Sequence, residues 1–282
     1  MNESNTLAQP AAANPNKALW EKGDFTRLAE TMRESGVLLI DKLDIQPGMH
    51  VLDLGCGDGT TAIPAARLGA KVLGIDIARN LVEAGNKRIQ AEGLTDISIR
   101  EGDATRLDGI EDGSFDLVVS IFGAMFAPKP FDAAKEMVRV TRRGGRIVMG
   151  NWIPNDPTLV AQILKISSAY TPPPPDGFIS PMLWGVESHV IERFGQAGIA
   201  PENISFERDT YTFTASFSPA AFVERFKQFY GPTMNAFEAV EKNGKTAELQ
   251  SELEALFTRE NRSADPNQTS IPATFLRVTV MK

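Results

Sequence analysis

Residues 49–61 read MHVLDLGCGDGTT. Val51, Leu52 and Leu54 form a short apolar run around Asp53, and Gly55, Gly57 and Gly59 follow on alternate positions. The pattern is that of a buried strand, a tight glycine turn and a helix starting near Asp58. Glycine has no Cβ, so the backbone can take positive φ there and a ligand can approach the main chain closely. Unpaired N–H groups at the helix start would face the same ligand. A turn of this kind also serves plain packing. A dinucleotide fingerprint G-x-G-x-x-G counted from Gly55 would put its third glycine at position 60, where Thr60 stands.

Outward from this stretch, the chain reads as alternating strands and helices. Upstream, residues 18–45 carry Leu28, Met32, Val37, Leu38, Leu39 and Leu43 at helical spacing, and Pro47-Gly48 ends the segment. Downstream, residues 61–70 read as a crossover helix with Pro64 inside it, where a kink is expected. A second strand, KVLGIDI, runs through Asp76 into Ile77 and a helix closed by Gly93. ISIREGDAT supplies a third strand and the turn Gly102-Asp103-Ala104, and FDLVVSIFGA a fourth strand with Ser120, Ile121 and Phe122 at its C-terminal end. Open α/β sheets bind ligands at that edge. Met125 and Phe126 follow in a loop, then residues 131–152 give a helix, a tight R-R-G-G connection and a fifth strand ending at Trp152. Arg142 and Arg143 read as cations complementing a helix C-terminus.

The spacing D-x-G-x-G-x-G from Asp53 to Gly59, the acidic residue Asp76, the G-D-A triplet at 102–104 and F-D-x-V at 115–118 together resemble class I S-adenosylmethionine-dependent methyltransferases. The resemblance implies a doubly wound, mostly parallel seven-stranded α/β sheet of Rossmann-like type, with an antiparallel final strand and helical lid insertions. It implies that Asp53, Gly55, Cys56 and Gly57 form the cofactor turn and that Asp76, followed by Ile77, accepts both ribose hydroxyls. A carboxylate, an acceptor with two oxygens, suits a pair of adjacent hydroxyl donors. It further implies that Asp103 and Ala104 meet the adenine and that Ser120 and Phe122 close the site. A W-x-x-G-D-aromatic segment at Trp20–Phe25 also occurs in similar proteins, so Trp20 and Phe25 are expected to cover the cofactor, against the alternative that Trp20 packs the first helix onto the sheet. The expected cofactor is S-adenosyl-L-methionine.

Beyond residue 153 the resemblance narrows to members with a proline run and an S-P-x-L-W-G segment, which are small-molecule methyltransferase-like proteins. The expected organisation is a disordered tail at 1–16 and one methyltransferase domain at 17–282. Within it lie a cover at 17–46, a cofactor-binding core at 47–152, lid insertions at 153–187 and 218–270, and a final strand at 271–282. Phe222, Phe226, Phe229 and Tyr230 share one helical face, read either as core or as a wall of the acceptor site. Met125, Phe126, Trp152, Trp184, Phe229 and Tyr230 are the candidate substrate pocket. No catalytic constellation stands out, and His189 is the single weak candidate for a base.

Composition narrows the function classes. The 282 residues are 42% apolar, with a formal net charge of −7. That acidity argues against a nucleic-acid partner, which normally demands a basic face. The single cysteine excludes a disulfide framework and fits a cytoplasmic protein. No apolar run approaches membrane-spanning length, the first 17 residues lack signal-peptide features, and no metal-binding spacing occurs. The expectation is methyl transfer to a small molecule, away from membranes; the alternatives are a non-catalytic S-adenosylmethionine-binding module and an NAD-dependent oxidoreductase. Oligomeric state is not legible.

Overall fold

The computed structural model describes Asn14 and residues 16–282. Three helical pieces come first: α1 (Asn16–Glu21), α2 (Thr26–Ala29) and α3 (Arg33–Asp41), the last two joined by a 3-10 turn. The continuous periodicity of this region is broken at Gly23, where a Cβ would lie 2.3 Å from the carbonyl oxygen of Phe229. The tail expected at 1–16 falls outside the described residues except for Asn14 and Asn16, and both of these are held: Asn16 opens α1, and Asn14 bonds Asp103.

Strands and helices then alternate. β1 (His50–Leu54) leads through the glycine turn to α4 (Ala62–Arg67), and β2 (Lys71–Asp76) to α5 (Arg79–Ala91). Because α4 begins only at Ala62, Pro64 sits in its first turn, where its missing N–H has no intrahelical partner to lose, and the expected interior kink has no basis. β3 (Ile97–Glu101) and β4 (Phe115–Ile121) follow, then a 3-10 turn at Ala124–Phe126 and α6 (Pro130–Val140). β5 (Thr141–Trp152) takes in the R-R-G-G connection as an irregularity in its pairing with β4. Beyond it run α7 (Leu159–Ala169), α8 (Glu187–Gln196) and β6 (Ile204–Ala215). Three helices, α9 (Pro219–Phe229), α10 (Gly231–Glu241) and α11 (Thr246–Glu260), precede β7 (Thr269–Met281).

The strand order is β3-β2-β1-β4-β5-β7-β6. Pairings are parallel from β3 through β5, and β7 runs antiparallel to both β5 and β6. β1 and β4 are central and buried on both faces, hence their near-continuous apolar runs. One hydrophobic cluster packs α3, α4 and part of α5 against the β1–β3 side; the other joins α6, α7, α8 and the 219–260 helices to β5–β7. The chain order reverses between β1 and β4, which opens a crevice at the C-terminal ends of these strands.

Candidate functional site

A cavity occupies that crevice. Its floor is backbone. Gly55, Gly57 and Gly59 have φ of 72°, 56° and 86°, a region that side-chain-bearing residues avoid. A Cβ on Gly55 would lie 2.5 Å from Cα of Gly123, so the turns after β1 and β4 touch main chain to main chain. At Gly57, which lines the cavity, a Cβ would meet nothing within 4 Å, so the space beside its Cα is open.

Asp76 ends β2 in the wall, 8% exposed. Its Oδ2 accepts from the Gly57 N–H at 2.8 Å and its Oδ1 from the Ala78 N–H at 2.9 Å. Two carboxylate oxygens carry about four lone-pair sites, so these two bonds leave acceptor capacity on Asp76. Burial raises the Asp76 pKa, and these backbone donors oppose the rise. On the next strand end, Gly102 N–H donates to the Asp76 carbonyl at 2.9 Å and carries Asp103 and Ala104 to the same cavity. Asp103 Oδ1 takes the Thr105 N–H and hydroxyl at 2.8 Å each, and its Oδ2 takes Asn14 Nδ2 at 2.9 Å.

Phe122 closes the β4 end with φ of 59°. An aromatic residue in the left-handed region is strained, and such strain clusters at functional sites. Its ring lies flat on Trp152, with centroids 3.7 Å apart and planes 8° from parallel. Across the opening, α1 is moored by Lys17 Nζ to the Ile77 carbonyl (3.0 Å) and to Glu101 (2.5 Å), and by Asn16 to the Phe126 carbonyl. This holds Trp20 edge-on to Phe25 and Phe126, with centroids 5.7 and 5.0 Å apart.

Of the residues proposed from sequence for the cofactor, the structure brings Trp20, Phe25, Gly55, Cys56, Gly57, Asp76, Ile77, Asp103, Ala104 and Phe122 to one cavity. Asp53 and Ser120 stand beneath it. Asp53 is 1% exposed and accepts from the Thr61 hydroxyl; burial, first, raises its pKa to about 7. The Ser120 hydroxyl donates to the Leu54 carbonyl at 2.7 Å and accepts from the Ala124 N–H at 2.9 Å, so it ties the β1 turn to the β4 turn. Both are positioning residues rather than wall residues.

The substrate set divides. Phe126, Trp152 and Tyr230 line cavity space, the last two in a second chamber beside the first. Met125 points into the core from its 3-10 turn. Trp184 is fully buried under the Arg193 guanidinium and edge-on to Phe194. Phe229 ends α9 outside the chamber, and Phe226 and Tyr230 face it instead. His189 lies on the outer surface of α8, 3.6 Å from Glu192, and lines neither cavity. Sequence reading missed Asn14, Asn16, Met32 and Tyr211, which line the first cavity. Helical spacing had already singled out Phe226 and Met32, so that signal was present for them; Asn14, Asn16 and Tyr211 gave none.

This strand order, with a glycine turn, a carboxylate ending β2 and an acidic turn after β3 around one crevice, defines a nucleoside-binding protein of the doubly wound α/β class. Residues 52–149 match the family model described as methyltransferase domain. An uncharacterized protein of Mycobacterium tuberculosis is 33% identical over 239 residues, covering 83% of this chain and 84% of the relative. Among solved structures, the YcgJ protein of Bacillus subtilis shares the fold at 16% identity and a TM-score of 0.56, over 88% of this chain and 98% of its own. Haemonchus contortus phosphoethanolamine N-methyltransferase 2, solved with S-adenosyl-L-methionine, does so at 18% identity and 0.54, over 88% and 52%. The chain belongs to the class I S-adenosylmethionine-dependent methyltransferase family, whose cofactor is S-adenosyl-L-methionine.

Proposed function

We propose that this protein is a cytoplasmic enzyme that transfers a methyl group from S-adenosyl-L-methionine, held in the first cavity, to a small-molecule acceptor. The observation that carries the reading is Asp76: a buried carboxylate at the end of β2 that lines the cavity, beside Gly57, where a Cβ would meet nothing within 4 Å. When bound, the cofactor supplies an electrophilic methyl group on a sulfonium. Asp76 would hold the ribose hydroxyls, Asp103 and Ala104 the adenine, and the Gly55–Gly57 turn the amino-acid end. Trp20, Phe25 and Phe126 exclude water from the opening. Tyr211 donates its hydroxyl to the Met32 carbonyl at 3.0 Å, which fixes the wall opposite Phe122.

His189 stands outside both cavities, and binding and orientation are the roles proposed for the lining residues. Well-oriented reactants gain roughly 7–11 kcal/mol from positioning alone. A non-catalytic binding module would share every feature of the cleft, and turnover separates the two. The site is tested by titrating Asp76→Ala with S-adenosyl-L-methionine in a calorimeter. Hydrogen bonds to a charged acceptor contribute roughly 1.5–3 kcal/mol each, so affinity should drop about tenfold or more. The variant also frees the Gly57 and Ala78 N–H groups, so its melting temperature is read alongside. Unchanged affinity in a folded Asp76→Ala protein would remove the assignment.

A further inference from the structure

Past the aromatic rim, the cleft adjoins a second, smaller chamber. Trp20, Phe25, Met32, Phe122 and Phe126 line both spaces, so the two share a wall. The rest of the chamber is Leu28, Trp152, Val160, Phe213, Phe226 and Tyr230. No Asp, Glu, Lys, Arg or His stands among these residues. An anionic group entering here would lose its hydration without gaining a counter-ion, which costs several kcal/mol. The surfaces offered are ring faces and edges: Phe122 flat on Trp152, and Phe226 edge-on to Tyr230 at 5.3 Å. Such walls favour flat, apolar guests.

The chamber's side-chain hydrogen-bonding groups are the Tyr230 hydroxyl and the indole N–H groups of Trp20 and Trp152. Of these, the hydroxyl alone can both donate and accept. Tyr230 is 6% exposed, and burial alone raises its pKa, with no hydrogen-bond partner contributing. Its oxygen is not among the buried polar atoms sealed off without a partner. Tyr230 lines the chamber, and its protonated phenol can both donate to and accept from a guest.

We propose that the second chamber is the acceptor subsite and takes a neutral, flat, apolar molecule of fused-ring type, whose one oxygen function pairs with Tyr230 Oη. Phosphorylated and other anionic acceptors are disfavoured by the lack of any cationic wall residue. The proposal rests on the reading of the first cavity as the cofactor site.

The test is binding, measured by equilibrium dialysis on the full chain with and without S-adenosylhomocysteine, using 2-naphthol, naphthalene and phosphocholine as probes. The expected result is saturable binding of 2-naphthol and none of phosphocholine. Tyr230→Phe should weaken 2-naphthol about fivefold, the equivalent of one neutral hydrogen bond, and leave naphthalene unchanged. Val160→Phe, which fills the chamber without touching the first cavity, should weaken both aromatic probes at least tenfold. S-adenosylhomocysteine affinity should stay within about twofold in either variant. The proposal is overturned if phosphocholine binds as well as 2-naphthol, or if 2-naphthol does not saturate. Indifference of the naphthol affinity to both substitutions overturns it equally. Failure of the wild-type protein to bind S-adenosylhomocysteine would count against the cofactor reading instead, and the titrations without it would still decide the chamber.

Discussion

Asp53 shows how a residue can belong to a motif without touching the ligand. Its carboxyl lies under the turn, and the Thr61 hydroxyl binds it across the strand-to-helix junction. Its pKa is raised from 3.8 to about 7, chiefly by burial. Between these values the unfolded chain has released the proton that the folded chain keeps. Stability therefore falls as pH rises from about 4 to 7, by up to about 4 kcal/mol for one such group. Asp53→Asn has no proton to release and should flatten this part of the profile. Urea unfolding at pH 4, 5.5 and 7 checks it, and parallel profiles for the two proteins would show that Asp53 is ionised throughout. Gly55 gives a second residue-scale prediction. Gly55→Ala would combine φ of 72° with a 2.5 Å clash of its Cβ against Gly123 Cα, a backbone atom that cannot swing aside. A loss of about 1–3 kcal/mol is expected from strain alone, together with loss of cofactor binding; native-like melting and affinity in this variant would mean the two turns can separate freely.

At the scale of elements, the rim of the cleft is built on a short helix that has no fully buried residue and packs Trp20 against the edge of the core. α1 has no buried residue, yet it carries Trp20 to the rim and is pinned at Ile77, Glu101 and Phe126. Removing residues 1–22 should leave the melting temperature nearly unchanged, because burial begins only at Leu28. Loss of one aromatic wall, roughly 1.5–3 kcal/mol, should lower affinity for S-adenosylhomocysteine about tenfold or more. Unaltered affinity would make α1 mere packing, and collapse of the apo protein would make it part of the fold. A shorter cut through residue 16 should also lower affinity, since Asn14 and Asn16 reach Asp103 and Phe126. The contrast between legible and illegible parts follows from distance along the chain. The β1 strand, glycine turn and α4 are contiguous, so spacing alone reveals them, and each later motif sits one strand and helix further on. Asn14 meets Asp103 across 89 residues and Tyr211 meets Met32 across 179, contacts that no window of sequence contains. Helical periodicity suggested an aromatic face on α9 but could not show that the helix stops at Phe229 and turns Tyr230 inward.

At the scale of the whole molecule, the order β3-β2-β1-β4-β5-β7-β6 makes one ligand touch several separately folded pieces. The cavity takes its walls from α1, the turns after β1, β2, β3 and β4, and β6 through Tyr211. Binding there opposes global unfolding, because the site exists only when all these pieces are assembled. A ligand present at a hundred times its dissociation constant stabilises the native state by about 2.7 kcal/mol. For a chain of this size each kcal/mol raises the melting point by about 2–4 °C, so S-adenosylhomocysteine should raise it by roughly 5–11 °C. The increment should grow with the logarithm of ligand concentration, as mass action requires. NADH should give no such shift: Thr60 stands where a dinucleotide turn would carry its third glycine, and Asp103 projects into the same space. A scan series with both ligands decides this directly. A concentration-dependent shift with NADH and none with S-adenosylhomocysteine would move the cleft to the dinucleotide class, whereas a shift with neither would mean that the assembled cavity does not take a nucleoside.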